Sequence, residues 1–174
     1  SRFDCDEVGE VKEYVGCKIE HNKKENYIKF TQPVLLQSYL DEFEIGKRTP
    51  NTPAEAGSVL VKSSPEDVVQ GKQHTYFRSG VGKMLHMMRW SRPEVQNAVR
   101  ELTRQGSAPT KAHIKAMHRA MEYCVGTPNR GWLLRPTRKW DGKDKSYKFR
   151  IRGQSDSDYA KCPVMRRSVS GYAT

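Results

Sequence analysis

The sequence has few cysteines and no long apolar run. Its 174 residues include four cysteines, none at C-x-x-C spacing, which excludes the common zinc and redox motifs. Four cysteines in a lysine-rich chain favour reduced thiols in an intracellular protein over a disulfide framework. No stretch reaches the roughly 18 apolar residues of a membrane-spanning helix. The acidic start, SRFDCDEVGE, lacks the features of a signal peptide, so we expect neither secretion nor a membrane partner.

Catalytic signatures are also missing. The five histidines form no metal-ligand pattern, and the sequence contains no Ser-His-Asp order and no phosphate-binding glycine loop. No paired general acid and base is visible either. The residues taken alone therefore predict no enzyme active site.

Positive charge is what the chain has in excess. It carries 31 lysines and arginines against 20 aspartates and glutamates, a net charge of +11. Residues 1–69 hold 9 basic and 13 acidic side chains, whereas residues 111–152 hold 12 and 3. Such an uneven distribution produces a directional field that favours a polyanion, such as nucleic acid. A solvated lysine surface that only aids solubility is the alternative.

Hydrophobic periodicity predicts an α+β protein that begins with a β-hairpin. Two β-like runs, at 11–19 and 27–30, flank the polar turn HNKKEN. Gly16, inside the first run, indicates a bulge or a close backbone approach. Helical spacing then covers 34–43, with Pro33 in the first turn.

A helical region is expected in the middle of the chain. Residues 46–72, rich in Pro, Gly and Ser, predict a long surface connection. Helical spacing follows over 76–90, 92–106 and 110–125, so we expect a central helical bundle. The positions expected in its core are Val81, Met84, Leu85, Met88, Val95, Ala98, Val99, Leu102, Ile114, Met117, Met121 and Cys124.

Strand patterns return in the last part of the chain. Short runs at 132–134, 147–151, 154–160 and 168–172 predict C-terminal strands, and the first two flank a basic turn at 135–145.

The third predicted helix carries a candidate nucleic-acid-binding surface. Thr110 is the expected N-cap, and Lys111, Lys115 and Arg119 share one face of the helix. Such a row can follow a phosphate backbone while the helix packs on its neighbours. An ordinary solvated helix face explains the same spacing, and both interpretations stay open. Arginine suits phosphate geometry, and three arginines elsewhere are further candidates: Arg92, Arg135 and Arg138.

Two carboxylates lie at alternate positions of a predicted C-terminal strand. Asp156 and Asp158, in GQSDSDYA, would point to the same side of that strand. Mg²⁺ is usually held by one or two carboxylates together with substrate phosphates. From the spacing alone, a polar loop with an Asx turn is favoured over a metal site.

Several stretches of the sequence, in order, resemble the motifs of one family. VGEVKEYVGCKIE is similar to GELKYFLGIEI, FRSGVGKMLHM to YRSLVGSLLYL, and SRPE to TRPD. Further on, EYCVGT is similar to YLKGT, SDSDYA to SDADWAG, and RRSVSGY to RRSTSGY. These are motifs of the reverse transcriptases of copia-type LTR retrotransposons, and the match covers nearly the whole chain.

The resemblance implies a division of the chain. Residues 1–45 would be the end of the palm, with its hairpin and the following helix, and 46–75 would be an extended linker. Residues 76–130 would be the helical thumb and tether, and 131–174 the truncated start of an RNase-H-like domain.

The resemblance also implies roles for particular residues. Val15, Gly16 and Cys17 would form the primer-grip region, and Asp156 matches the first metal-binding carboxylate of RNase H. The family's paired polymerase aspartates, YVDD, do not occur in this sequence. The intact enzyme is therefore expected to use Mg²⁺, whereas this segment is expected to be catalytically incomplete and to bind no metal alone.

The implied function is to grip an RNA/DNA hybrid or a primer/template duplex as part of a Pol polyprotein. The family resemblance implies a cytoplasmic virus-like particle or the nucleus as the location. Departures from the motifs at Phe77, Gly80 and Cys124 leave an alternative, a decayed or co-opted copy that acts only as a basic nucleic-acid-binding module. A stand-alone RNase-H-like nuclease is disfavoured, because only two strands of that fold would be present.

Overall fold

The computed structural model divides the chain into two compact units, Ser1–Arg135 and Pro136–Thr174. The second unit is described only as backbone. The described residues are 9–46, 48–57, 60–61, 64–136, 154–158 and 169–173.

The first unit contains a four-stranded antiparallel sheet, and its strand order follows the chain. The strands are β1 (Glu13–Tyr14), β2 (Cys17–Asn22), β3 (Tyr27–Thr31) and β4 (Trp132–Leu134). The predicted hairpin is present as β2 and β3, which pair from Lys18 opposite Thr31 to Asn22 opposite Tyr27. β4 joins the sheet only after all the helices, and it pairs beside β3.

The first predicted β-run is not one strand. The chain reverses at Val15 and Gly16, whose φ angles are +50° and +72°, so that Tyr14 pairs with Cys17. A type I′ hairpin turn has two successive residues with positive φ. Glycine is favoured in such a turn because it adopts positive φ without steric cost. Gly16 therefore marks a tight turn, and the expected bulge is not found there.

Four α-helices follow the hairpin in the part of the chain that the structure describes. They are α1 (Pro33–Phe43), α2 (Lys72–Trp90), α3 (Gln96–Thr103) and α4 (Lys111–Gly126). All four were predicted, and α1 has Pro33 in its first turn, as expected. α2 begins at Lys72 rather than at Tyr76. A 3₁₀ turn at Pro93–Val95 precedes α3, because the proline permits a tight first turn but offers no N–H.

The four helices enclose one apolar core. Most of the expected positions are buried, and the methionines fill the space between the helices, as predicted. The predicted burial of Leu85 is wrong, since its side chain is 40% exposed. α2 is rotated so that Phe77, Gly80 and Met87 face inward instead. Gly80 lies directly against the Met117 side chain, where a methyl group would not fit.

The connection between α1 and α2 (residues 46–71, here called the strap) runs along α4 in the opposite direction. Apart from a 3₁₀ turn at Pro65–Asp67, its described residues form neither helix nor strand. Val69 is buried, and its N–H donates to Pro109 O at 2.8 Å. Four contacts mark its course along α4: Thr49 beside Gly126, Thr52 on Arg119, Val61 on His113 and Val68 on Thr110.

The described part of the second unit is an antiparallel pair, β5 (Gln154–Asp158) and β6 (Val169–Ala173), and both strands were predicted. In this pair Asp156 lies opposite Gly171. The predicted strand at 147–151 falls outside the described residues. The fold class is α+β, as the sequence predicted, with N-terminal strands followed by a helical region.

Candidate nucleic-acid interface

α4 is fixed at its N-terminus by a reciprocal cap. Thr110 Oγ1 accepts the N–H of His113 at 3.4 Å, and His113 Nδ1 accepts the N–H of Thr110 at 3.1 Å. Because Nδ1 accepts, the ring proton lies on Nε2, which donates to Val61 O at 3.2 Å. Burial lowers the pKa of His113, against the opposing effect of the Val61 carbonyl, so the neutral ring is favoured. The predicted N-cap is confirmed.

Lys111 and Lys115 lie on adjacent turns of α4 and face solvent. Their side chains are exposed on the same side of the helix. Among the residues that the structure describes, neither lysine takes part in an ion pair. Two neighbouring ammonium groups without a carboxylate partner attract phosphate oxygens.

Arg119, the third residue of the predicted row, is held by the strap. Its Nη2 donates to Thr52 Oγ1 at 3.3 Å, and its Nη1 lies 3.7 Å from Glu55 Oε1. Its Nε is buried and has no hydrogen-bond partner among the residues that the structure describes. The row (Lys111, Lys115 and Arg119, here called the basic row) is thus assembled on one face, with its last member occupied.

Arg92 was expected at the nucleic-acid interface, but the structure places it inside the protein. Its side chain is only 2% exposed, and its Nε donates to Glu94 at 2.6 Å. The two terminal nitrogens bind Thr127 O at 3.1 Å and Thr127 Oγ1 at 2.7 Å, and one also binds Cys124 O. Arg92 thereby caps the C-terminal carbonyls of α4. Its guanidinium is unavailable to a phosphate, so we remove it from the candidate interface.

The remaining sequence candidates have different surroundings. Arg135 is exposed, lies 3.6 Å from Glu25 and stacks over the Tyr27 ring. Arg138 falls outside the described residues. Asp156 is described only by its backbone position on β5, and the described residues contain no cluster of three metal-ligating side chains.

The expected primer-grip region forms the β1–β2 turn. Val15 is exposed at the tip, a Cβ atom added at Gly16 would lie 3.8 Å from His86 Nε2, and the Cys17 thiol is buried. Burial raises the pKa of Cys17, so its neutral thiol is favoured. The Tyr14 ring meets the Trp90 ring edge-on at 6.0 Å, which attaches this turn to the C-terminal end of α2.

A second basic face, which was not predicted from the sequence, lies on α2. Arg78, Gly82, Leu85 and Arg89 are all exposed and follow one another at helical spacing. Arg89 also stacks over the Trp90 ring. The helical spacing of the apolar residues in α2 could have predicted that these four positions lie on the solvent side. The assignment of Leu85 to the core prevented that prediction.

Comparison with known proteins identifies the origin of the chain. It is 25% identical over 174 residues to the Retrovirus-related Pol polyprotein from transposon TNT 1-94 of Nicotiana tabacum, across 98% of this chain. It is 31% identical over 98 residues, 56% of this chain, to the Retrovirus-related Pol polyprotein from transposon RE1 of Arabidopsis thaliana. The chain spans only 12% and 6% of these two polyproteins. It is thus a segment of retrotransposon Pol origin.

A shorter relative defines the family more closely. The chain is 30% identical over 84 residues to the uncharacterized mitochondrial protein AtMg00240 of Arabidopsis thaliana. This alignment covers 48% of this chain and 68% of that protein. The chain belongs to the same family as this mitochondrial protein. No protein-family profile matches the chain, and no solved structure matches it. Among the described residues, no helix is long and apolar enough to cross a membrane.

Proposed function

We propose that this chain is the palm-end and thumb segment of a copia-type reverse transcriptase, and that it grips an RNA/DNA hybrid or a primer/template duplex. The observation that carries the proposal is the pair Lys111 and Lys115, open to solvent on a helix whose start is fixed by a cap. The net charge of +11 and the Pol origin support it.

The basic row would act through phosphate contacts rather than base contacts. Lysines at this spacing can neutralise neighbouring phosphates of a strand that follows the helix. Hybrid duplexes approach A-form geometry, which proteins recognise by shape and backbone contacts. The exposed face of α2, with Arg78 and Arg89, would extend the contact toward the β1–β2 turn, where Val15 would meet the primer strand.

Catalysis would need the rest of the polyprotein. The polymerase aspartates would come from another part of Pol, and Asp156 would supply one of several carboxylates to an RNase H site. Mg²⁺ held there would activate water and stabilise the leaving oxygen. The isolated chain is expected to show no nucleotide incorporation, and Mg²⁺-dependent incorporation by it would contradict this. A virus-like particle or the nucleus is the proposed location.

The test is binding of a fluorescent RNA/DNA hybrid, measured by anisotropy over a series of salt concentrations. The variant K111A/K115A should bind more weakly, and the slope of log K against log salt should fall by about two, because two phosphate contacts are lost. The matched control is K23A/K24A, which removes the same charge from the turn between β2 and β3.

Equal losses in the two variants would show that only overall charge matters, and would contradict an interface on α4. An absence of binding by the parent chain at low salt would contradict the proposal altogether. Comparison with duplex DNA and single-stranded RNA separates recognition of a hybrid from general attraction to polyanions.

A co-opted copy that only binds nucleic acid is the second candidate. It is favoured by the family relationship to AtMg00240, because an alignment of 84 residues already covers 68% of that protein. The two candidates differ in the sequence that surrounds this segment. A reading frame that contains YVDD upstream and further RNase H carboxylates downstream would favour the polymerase, and an early stop would favour the co-opted copy.

A further inference from the structure

The strap crosses the basic row at Arg119 and is held there weakly. It is anchored on either side of this point, by Thr49 packed beside Gly126 and by Leu60, whose carbonyl accepts the Gln105 amide at 2.9 Å. The stretch between these anchors reaches Arg119 through two polar contacts, from Thr52 and from Glu55. Thr52 and Glu55 are both exposed, so their contacts with Arg119 can break without unfolding the core.

The contact itself is easily replaced by a phosphate. The Glu55 side chain is 69% exposed, and the ion pair is 3.7 Å long, so water and salt screen it. Arg119 is incompletely satisfied within the described part of the chain, because its buried Nε has no hydrogen-bond partner there. A phosphate can receive two parallel hydrogen bonds from one guanidinium, which is a stronger arrangement than the pair that Glu55 provides.

We propose that the strap is a built-in competitor of nucleic acid. Glu55 and Thr52 occupy Arg119 while the interface is empty, and a phosphate strand that reaches Lys111 and Lys115 displaces them to complete the basic row. This inference rests on the proposed function, because it concerns the regulation of that same surface.

The strap contact and the binding of a duplex must weaken each other reciprocally. If a bound duplex releases the strap from Arg119, then any change that weakens the strap contact raises affinity for the duplex by the same factor. Glu55 also contributes a negative charge beside the phosphate path, so its removal acts in the same direction.

The test compares two single-charge variants of the full chain in the hybrid-binding assay. E55Q removes the competing carboxylate, and we expect a two- to fivefold gain in affinity and a salt slope steeper by about one, as Arg119 gains a phosphate. E66Q is the matched control, since Glu66 is exposed on the 3₁₀ turn of the same strap, and it should change affinity little. In an R119Q background, the gain from E55Q should fall to that of E66Q, because only the general effect of one lost negative charge remains.

Each result bears on the inference. A gain for E55Q that exceeds the gain for E66Q, and that falls to the E66Q level in the R119Q background, supports it, even if the parent chain binds too weakly to measure. Equal gains for E55Q and E66Q, or no gain for E55Q while the parent binds, would overturn it and leave the proposed function intact. Failure of both the parent and E55Q to bind at low salt would overturn the proposed function as well.

Discussion

At the scale of single residues, the environment decides what an arginine does. Arg92, Arg119 and Arg135 look equivalent in the sequence. The structure gives them three different neighbourhoods: a buried cap on α4, a contact with the strap, and an exposed stack on Tyr27. These neighbourhoods depend on residues distant in the chain. Sequence patterns therefore identified the positive charges but could not predict which groups each arginine contacts.

Replacement of Arg92 should affect stability and leave binding unchanged. R92M removes a buried guanidinium and leaves carbonyls at the end of α4 without donors, so we expect a loss of about 2–4 kcal/mol in the free energy of unfolding. Urea denaturation measures it. E94Q, at the more exposed partner, should cost less than about 1 kcal/mol. Weaker hybrid binding by R92M at a temperature where it is fully folded would return Arg92 to the interface.

Two glycines in α2 should respond oppositely to the same change. In G80A the new methyl group would overlap the Met117 and Phe43 side chains, and overpacking should cost about 1–3 kcal/mol. In G82A the methyl group meets nothing within 4 Å, and helix propensity should stabilise the protein by about 0.5–1 kcal/mol. Thermal unfolding of both variants checks this, and similar shifts in one direction would contradict the packing of α2 on α4.

At the scale of elements, the sequence predicted what local chemistry controls. Helices α1 and α4 were located well, because their signals depend on neighbours within a few residues. These signals are Pro33 in the first turn of α1, the Thr110 cap of α4 and the spacing of Met117 and Met121. The rotation of α2 was missed because both of its faces contain apolar residues. Only contact with other helices decides that Met87 is buried and Leu85 exposed.

The cap of α4 should make stability depend on pH. Burial lowers the pKa of His113 and of His118, so the unfolded chain binds more protons than the folded one below about pH 6.5. The stability they contribute is complete above that pH, and it is lost as the pH falls toward their folded-state pKa values. Protonation of His113 Nδ1 would also remove the bond from Thr110 N–H.

H113Q tests this directly. Glutamine at this position completes an ordinary capping box without a titratable ring. Urea denaturation between pH 7.5 and 5 should show a smaller pH dependence for H113Q than for the parent, and His118 should account for the rest. An unchanged pH dependence in H113Q would show that the cap does not titrate.

At the scale of the whole molecule, pairing distant in sequence was beyond prediction. β4 was predicted as a strand, but its pairing with β3 was not. Nothing in its three residues indicates which strand they pair with. The same holds for the strap, whose composition indicated a surface connection and whose contacts with α4 depend on the finished fold. The candidate interface was therefore predicted as a row of charges, without the strap that crosses it.

The end of the first unit can be tested by truncation. A chain that ends at Pro136 keeps β4 and should unfold cooperatively, with a midpoint within a few degrees of that of the full chain. A chain that ends at Arg130 loses β4, exposes the edge of β3 and should unfold at a lower temperature. Circular dichroism melting of the two chains measures the difference. Equal midpoints would mean that β4 does not stabilise the sheet.

The late arrival of β4 has a consequence for synthesis on the ribosome. β3 emerges early and carries an unpaired edge until the whole helical region has been made, since Phe30 must wait for Trp132. Closing so long a loop is slow compared with forming the hairpin, and an open edge attracts other strands meanwhile. The yield of folded protein should therefore depend on how quickly the helices bring β3 and β4 together.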